Sequence, residues 1–126
     1  MSYYLFLDDV RDPNKFLQSI REWVIARDYN QFVTIIKERG MPAFISFDHD
    51  LAFEHYPFND KRQDGLTIPY NDYNEKTGYH CAQWLVEHCM DIKAPLPRFQ
   101  VHSMNPVGAN NILQLLNRFN EVRDDL

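Results

Sequence analysis

The fold class is indicated by the stretch YYLFLDD at residues 3–9, an unbroken apolar run that ends abruptly in two acids. A continuous run of this length is typical of a strand buried on both faces of a parallel sheet. The same pattern returns at residues 43–50, where AFISF runs into DHD. Two buried strands that each end in acids predict a parallel α/β sheet with carboxylates at one edge.

The rest of the chain alternates strands with helices. Further elements are predicted at residues 23–26 (strand), 29–39 (helix), 78–91 (helix), 99–102 (strand) and from 106 onward (helix). Gly40 follows the first of these helices as a stop signal, and Thr77 and Asn105 are N-cap residues ahead of the other two. We therefore predict a small doubly wound, flavodoxin- or receiver-like sheet of about four parallel strands flanked by helices.

Length and composition limit the classes of protein that the chain can represent. A chain of 126 residues with 44% hydrophobic residues predicts a single receiver-like domain over residues 1–126. Neither a long apolar stretch nor a basic signal region is found, so a cytoplasmic protein is expected. The net charge of −5 makes binding to duplex DNA improbable. Cys81 and Cys89 are expected to be reduced.

A polar loop after the third predicted strand, at residues 52–77, is much longer than an ordinary connection. Loops of this kind tend to be functional or mobile, so it is a candidate lid. Its aromatic and basic residues could stack a base and hold a backbone phosphate, or they could pin the loop to the body of the protein. These residues are Tyr56, Phe58, Lys61, Arg62, Tyr70 and Tyr73.

The polar residues that follow the strands are expected to converge. Right-handed crossovers place the carboxyl ends of all parallel strands at the same edge of the sheet. The residues at those ends are Asp8, Asp9, Asp48, Asp50, His102 and Ser103. If the first strand is central and the third lies beside it, the two acidic turns flank the crevice where ligands usually bind.

Converging carboxylates favour a bound cation. Two carboxylates ~6 Å apart repel by roughly 2 to 3 kcal/mol at an effective dielectric near 20. Oxygen ligands suit Mg²⁺ (or Mn²⁺), and the predicted ligands are Asp8, Asp9, Asp48 and Asp50. The last helix begins after Asn105, and its first amides, including those of Val107 and Gly108, are predicted to be free to bind phosphate.

Four sequence blocks together resemble the cyclic-phosphate-processing receiver-like family, which is related to the receiver domains of response regulators. The blocks are LDDVR at 7–11, SFDHDL at 46–51, TGY at 77–79 and HSMNPVGA at 102–109. The resemblance spans nearly the whole chain. It implies processing of 2′,3′-cyclic phosphate ends of RNA, or of related phosphoesters, with a phosphorylated small molecule, a nucleotide or an RNA end as partner.

Comparison with ordinary receivers implies particular residue roles. Asp8 and Asp9 match the metal-binding acidic pair, Asp48 the phosphoacceptor aspartate and Ser103 the hydroxyl residue after the fourth strand. The receiver lysine that follows a fifth strand has no counterpart, so phosphorelay signalling is disfavoured and Arg11 or His102 would have to supply its positive charge. The closer family adds His49, Asp50, His102 and Asn105 around the acids.

The leading hypothesis is a divalent-metal-dependent phosphoesterase. Its predicted catalytic residues are Asp48, His49, His102 and Arg11, and its predicted substrate-binding residues are Ser103, Asn105, Val107 and Gly108. Two alternatives stay open. The DHDL motif at 48–51 also looks like the first motif of haloacid-dehalogenase-type phosphatases, with Asp48 as nucleophile. The chain could also be a non-catalytic receiver-like module that binds a phosphorylated ligand or a partner protein.

Overall fold

The computed structural model describes residues 2–52, 55 and 68–123 of the chain, and all structural statements refer to these residues. The four strands are β1 (Tyr4–Leu7), β2 (Trp23–Ala26), β3 (Phe44–Phe47) and β4 (Arg98–Val101). The four α-helices are α1 (Lys15–Ile20), α2 (Tyr29–Arg39), α3 (Gly78–Ile92) and α4 (Pro106–Arg123). A 3₁₀ turn at Tyr70–Asp72 precedes α3.

The sheet is entirely parallel, and its strand order is β2-β1-β3-β4. This confirms the predicted receiver-like α/β fold. Strand β1 is central and β3 is its neighbour, so the chain reverses its direction of winding between these two strands. The carboxyl ends of β1 and β3 therefore flank the crevice of the sheet.

One sheet face carries the main core. Leu5, Leu7, Ile45 and Phe47 alternate along the two central strands and are completely buried. They pack with buried residues of the three long helices, namely Phe32, Ile36, Leu85, Ile112 and Leu116. The apolar stripes of these helices follow the spacing that the sequence predicts.

The other sheet face carries a cluster of aromatic rings. The indole ring of Trp23 lies edge-on to the ring of Tyr4 at 5.2 Å and to that of Phe44 at 6.1 Å. The guanidinium of Arg21 lies over the Tyr4 ring at 4.7 Å. Helix α1 adjoins this cluster, because the backbone oxygen of Leu17 accepts a hydrogen bond of 3.3 Å from Trp23 Nε1.

Local capping residues set the helix ends. Asp28 Oδ1 accepts the Gln31 amide ahead of α2, and Gly40 ends that helix with φ = 83°, a conformation that favours glycine. Thr77 accepts amides at the start of α3, and His80 completes a capping box with it. Asn14 caps the short helix α1, in a region where the sequence pattern is weak.

The long loop is described only in part. Tyr56, Phe58, Lys61 and Arg62, which the sequence makes candidates for base binding, lie outside the described residues. Tyr70 and Tyr73 are described, and the ring of Tyr70 contacts helix α3, whereas the ring of Tyr73 contacts another residue of the loop. The Tyr70 ring stacks on that of Tyr79 at 4.6 Å, and the Tyr73 ring lies 4.7 Å from that of His55. For Tyr70 the contact agrees with the interpretation that the loop is pinned to the body of the protein.

None of the helices in the described part of the chain is long and apolar enough to cross a membrane.

Candidate functional site

The site is built on three neighbouring strands, each of which extends its hydrogen-bond ladder by one residue. The Asp8 amide donates to Ala26 O at 3.0 Å, the Asp48 amide to Leu7 O at 2.9 Å, and the His102 amide to Phe47 O at 2.8 Å. Asp8, Asp48 and His102 therefore stand side by side at the carboxyl edge. With Arg11, they form what we call the edge site.

Asp8 is completely buried and is the most heavily bonded group of the edge site. Its Oδ1 accepts the amides of Val10 and Arg11, at 3.0 and 2.7 Å, and its Oδ2 accepts Arg11 Nε and His102 Nε2, at 2.8 and 3.0 Å. Burial by itself raises the pKa of this carboxyl. The hydrogen bonds and the charge of Arg11 outweigh it, so the pKa lies below its ordinary value.

Arg11 links the two carboxylates of the edge site. Its Nε contacts Asp8 at 2.8 Å, and its Nη2 lies 3.6 Å from Asp48 Oδ2. Burial lowers the pKa of Arg11, but the two carboxylates raise it by a larger amount. The pKa therefore lies above its ordinary value, and the guanidinium stays charged. Its side chain is 46% exposed, which leaves it accessible to a ligand. Arg27 supports this loop by donating to Arg11 O at 2.8 Å.

Asp48 is the group of the edge site whose charge is least well compensated. It is 4% exposed, and its Oδ1 accepts the His49 amide at 2.8 Å. Burial and then the neighbouring charge of Asp8 raise its pKa to about 7, and the distant contact with Arg11 offsets this only in part. A buried carboxylate in this position gains from an added cation.

His102 is held in place on both sides of its ring. Its Nε2 bonds to Asp8 Oδ2 at 3.0 Å, and its Nδ1 lies 2.7 Å from Ser46 Oγ. The ring stacks on Phe6 with centroids 4.5 Å apart and an angle of 7° between the planes. Burial lowers the pKa of His102, although the carboxylate of Asp8 acts in the opposite direction.

The donor set of the edge site fits a divalent cation. Asp8, Asp48 and His102 each offer one ligand atom, and these three atoms lie within 4.8 Å of one another. Two carboxylate oxygens favour Mg²⁺ or Mn²⁺, whereas an imidazole nitrogen suits the transition metals. The combination of ligands therefore favours Mn²⁺ over Mg²⁺ if all three bind. If His102 keeps its bond to Asp8, the two carboxylates suit either ion.

A second polar cluster lies directly beside the edge site. His49 is completely buried, and its Nδ1 donates to Asp50 Oδ1 at 2.7 Å. Its Nε2 lies 2.9 Å from Tyr70 Oη, which accepts Asn111 Nδ2 at 3.1 Å. Asn105 Nδ2 donates to Asp50 Oδ1 at 3.1 Å. We call these five residues the buried network.

The buried network changes the interpretation of four candidate residues. His49 has no exposed surface and both of its ring nitrogens are bonded within the protein, so this arrangement does not support a general acid or base there. Asp50 and Asn105 bond to residues of the same network. The Gly108 amide donates to Asn105 Oδ1 at 3.0 Å, so the expectation that this amide is free is wrong.

The remaining candidates are Ser103 and Asp9, which follow His102 and Asp8 in the chain, and Val107 of α4. Ser103 Oγ accepts the Asn105 amide at 3.1 Å, which places it at the turn between β4 and α4. Val107 and Asp9 are half-buried, and Asp9 does not belong to the group of three ligand atoms. The roles of Ser103 and Val107 in substrate binding stay predictions. Asp9 stays a predicted metal ligand.

Two glycines let the helices approach this edge closely. A Cβ on Gly78 would lie 1.8 Å from Asp48 O, and the Gly78 amide donates to His49 O at 2.8 Å. A Cβ on Gly108 would lie 2.4 Å from the ring of His49. These glycines lie in the TGY and HSMNPVGA blocks, which the sequence analysis singled out for their resemblance to the family. The spacing of the residues could not predict what the glycines contact.

The sequence analysis also missed three side chains that support the site. The Ser46 hydroxyl is hydrogen-bonded to the ring of His102 and accepts a bond from Gln100. Asn111 donates a hydrogen bond to the hydroxyl of Tyr70. Ser46 lies two residues before Asp48 in a strand, and Asn111 lies within a helix stripe. A polar residue inside an apolar run is the one signal that could have singled out Ser46.

These features together define a class of protein. A parallel sheet with an acidic pair after its first strand and a further aspartate directly after its third is the arrangement of a receiver-like domain. The family model described as "Cyclic-phosphate processing Receiver domain" matches residues 3–118, and the chain belongs to this family. A search of curated proteins and a search of solved structures each found no match.

Proposed function

We propose that the protein is a divalent-metal-dependent phosphoesterase that opens a cyclic phosphate at an RNA end or on a nucleotide-like phosphoester. The observation that supports it best is the edge site itself. Two buried carboxylates and an imidazole converge within 4.8 Å, with an accessible guanidinium beside them. The family of the chain is linked to cyclic-phosphate processing, and the proposal adds turnover to that link.

Asp8 and Asp48 would hold the metal ion, with Mg²⁺ or Mn²⁺ as the ions that suit them. Asp9 is a further predicted ligand on the same loop. A bound divalent cation would lower the pKa of a coordinated water and polarise the phosphoryl group. The raised pKa of Asp48 and its incomplete compensation by Arg11 support the idea that this pair accommodates a further positive charge.

The protein's own side chains would supply the other parts of the reaction. Water forms a bond to phosphorus while one ring P–O bond breaks, the water gives up a proton to a site carboxylate, and the leaving ring oxygen takes one. His102 Nε2–H would donate a hydrogen bond to this oxygen, because it lies beside Asp8 and its side chain is 18% exposed, and the carboxyl that took the proton of the water would pass it to the same oxygen. Arg11 would stabilise the charge on the phosphoryl oxygens.

The test is turnover of a short RNA with a 2′,3′-cyclic phosphate end, in the presence of Mg²⁺ or Mn²⁺. The product is followed by mass, and Asp48→Asn is compared with Asp91→Asn, an exposed residue of α3. We expect opening of the ring by the wild type and by Asp91→Asn, but not by Asp48→Asn. A phosphate adduct on the protein would instead indicate the covalent route through Asp48.

The second candidate function is a non-catalytic module that binds a phosphorylated ligand. Arg11 supports it, because its guanidinium already partly balances the charges of both carboxylates without any metal. Binding of the same RNA without a change in its mass would favour this module. If the protein neither turns over nor binds this RNA, both candidate functions are contradicted.

A further inference from the structure

A row of side chains across the sheet lies directly behind His102. Phe6, Ser46 and Gln100 are partners in the sheet register, one from each of β1, β3 and β4. Ser46 is completely buried in a strand that is otherwise apolar. A buried hydroxyl without hydrogen bonds destabilises a protein, so its partners indicate why it is tolerated.

The hydroxyl of Ser46 has two partners with fixed roles. Gln100 Nε2 can only donate, and it lies 3.0 Å from Ser46 Oγ. The Ser46 oxygen accepts this bond, so its proton is directed to His102 Nδ1 at 2.7 Å. Nδ1 then carries no proton, and the ring proton lies on Nε2, where it meets Asp8 Oδ2 at 3.0 Å. The opposite tautomer would leave an unprotonated nitrogen facing a carboxylate oxygen.

The buried network repeats this chain of groups with the ring reversed. Asn111 Nδ2 donates to Tyr70 Oη, the Tyr70 hydroxyl faces His49 Nε2, and His49 Nδ1 meets Asp50 Oδ1. An amide, a hydroxyl, an imidazole and a carboxylate follow one another in both cases. His49 therefore has its proton on Nδ1, whereas His102 has it on Nε2.

We propose that Ser46, oriented by Gln100, is a positioning residue that holds His102 as the Nε2–H tautomer with that proton directed into the edge site. The Phe6 ring, stacked on His102, fixes the plane of the imidazole at the same time. The catalytic consequence rests on the proposed function, because it directs the Nε2–H of His102 at the leaving ring oxygen. The tautomer itself follows from the hydrogen bonds and does not depend on turnover.

The first measurement is the position of the ring protons by long-range ¹H–¹⁵N correlation NMR on the full-length, metal-free protein. Single His→Gln variants assign the signals of His49 and His102. We expect a proton on Nε2 of His102 and on Nδ1 of His49, so each histidine serves as the reference for the other. A proton on Nδ1 alone of His102 would overturn the proposal.

The second measurement compares variants of the row. Ser46→Ala removes the hydroxyl and should give a mixture of His102 tautomers, whereas Ser46→Thr keeps the hydroxyl and should keep Nε2–H. Gln100→Glu reverses the direction of the bond, because a carboxylate accepts the Ser46 proton, so Nδ1 of His102 should gain a proton. Gln100 is exposed, which makes this variant easy to accommodate. Ser19→Ala, on α1, is the matched control.

The kinetic readout is a fall in kcat of roughly ten-fold for Ser46→Ala with KM little changed, since supporting residues of this kind typically contribute that much. Ser46→Thr should recover most of the loss. If His102 keeps Nε2–H and kcat is unchanged in Ser46→Ala, the proposal is wrong. If the tautomers behave as expected but no protein turns over substrate, the proposed function fails and the positioning role stands.

Discussion

The edge site and the buried network contain the same kinds of groups and differ in what surrounds them. Each has an imidazole between a hydroxyl and a carboxylate, and each hydroxyl accepts an amide N–H. In the edge site the imidazole side chain is 18% exposed, and a guanidinium that is 46% exposed lies beside the carboxylate. In the buried network the imidazole has no exposed surface.

The difference follows from where each residue leaves its strand. Asp8, Asp48 and His102 still take part in the sheet ladder, so they stand at its open edge. His49 and Asp50 come after the ladder has ended, where the chain passes beneath the first turn of α4 and packs on Gly108. Adjacent residues of one motif, Asp48 and His49, therefore lie in different surroundings, one at the open edge of the sheet and the other in the interior.

The largest effect should separate the two carboxylates of the DHD motif. Asp48→Asn should lower turnover roughly a thousand-fold, about 4 kcal/mol of transition-state stabilisation, because it removes a central charge of the edge site. Asp50→Asn should instead destabilise the fold, because it disturbs the bonds to His49 and Asn105. Kinetics per folded molecule and urea unfolding of both variants measure the two effects.

Asp91→Asn serves as the control for both measurements. A loss of turnover in Asp50→Asn as large as that in Asp48→Asn, at equal folded fraction, would remove the distinction between the two clusters. Equal loss of stability in the two variants would remove it as well.

A backbone contact common to the two clusters gives the next prediction. Gly78→Ala should cost about 3 kcal/mol or more of folding free energy, because its Cβ would overlap the backbone oxygen of Asp48 at 1.8 Å. Gly40→Ala is the matched comparison, since its Cβ would meet nothing within 4 Å and only the positive φ opposes it. We expect a smaller cost there, about 1 kcal/mol. Thermal and urea unfolding of both variants measure the two costs. Equal losses of folding free energy would contradict the close approach of Gly78 to the backbone oxygen of Asp48.

The pH dependence of stability should sharpen the electrostatic part of the comparison. The pKa of Asp48 is about 7 in the folded protein, against an ordinary value of 3.8. Between these values the folded state keeps a proton that the unfolded state has lost. The stabilisation from this proton is fully present below the ordinary value and is lost as the pH rises to about 7.

Asp48→Asn removes this titration, so the variant should gain stability relative to the metal-free wild type as the pH rises. We expect a difference of roughly 4 kcal/mol above pH 7 and little difference near pH 4. Urea unfolding with a chelator, at several pH values, measures it. Mn²⁺ should reverse the order above pH 7 by binding to the wild type. If the difference in stability does not change with pH, the pKa of Asp48 is not raised in the folded protein.

The smallest expected effect concerns the hydroxyl of Tyr70, a half-buried member of the buried network. Tyr70→Phe should cost about 1 kcal/mol of stability, because His49 Nε2 and Asn111 Nδ2 each lose a partner. Turnover per folded molecule should change by less than about two-fold. Tyr4→Phe, on the opposite sheet face, is the control. A large loss of turnover without loss of stability would mean that the buried network takes part in the chemistry.

Much of the fold was predictable from the sequence. The apolar runs at residues 3–7 and 43–47 predicted two buried parallel strands, and the observed strands fall within these bounds. Helix α2 has the bounds that its apolar spacing and Gly40 predicted, and α3 runs one residue beyond the predicted end. Helix α1 was not predicted as a helix because it is short and exposes Phe16 and Ile20, so its apolar residues give no clear stripe.

The candidate site was predictable only in outline. The alternation of strands and helices was sufficient to bring Asp8, Asp48 and His102 to one edge, because parallel crossovers leave no other arrangement. Arg11 was also placed there from its motif. The sequence could not show that Asp50 and His49 turn away from this edge, since they follow the same strand as Asp48 and have the same polarity.

The sequence by itself determined the strands, the main helices and the acids at the sheet edge, because these depend on local periodicity and on the handedness of the crossovers. Only the tertiary structure decided which polar residues face solvent and which bond to one another in the interior. That choice depends on contacts between residues far apart in the chain, such as Gly108 against His49 and Ser46 against His102. The hydrogen bonds that surround the two imidazole rings follow from those contacts.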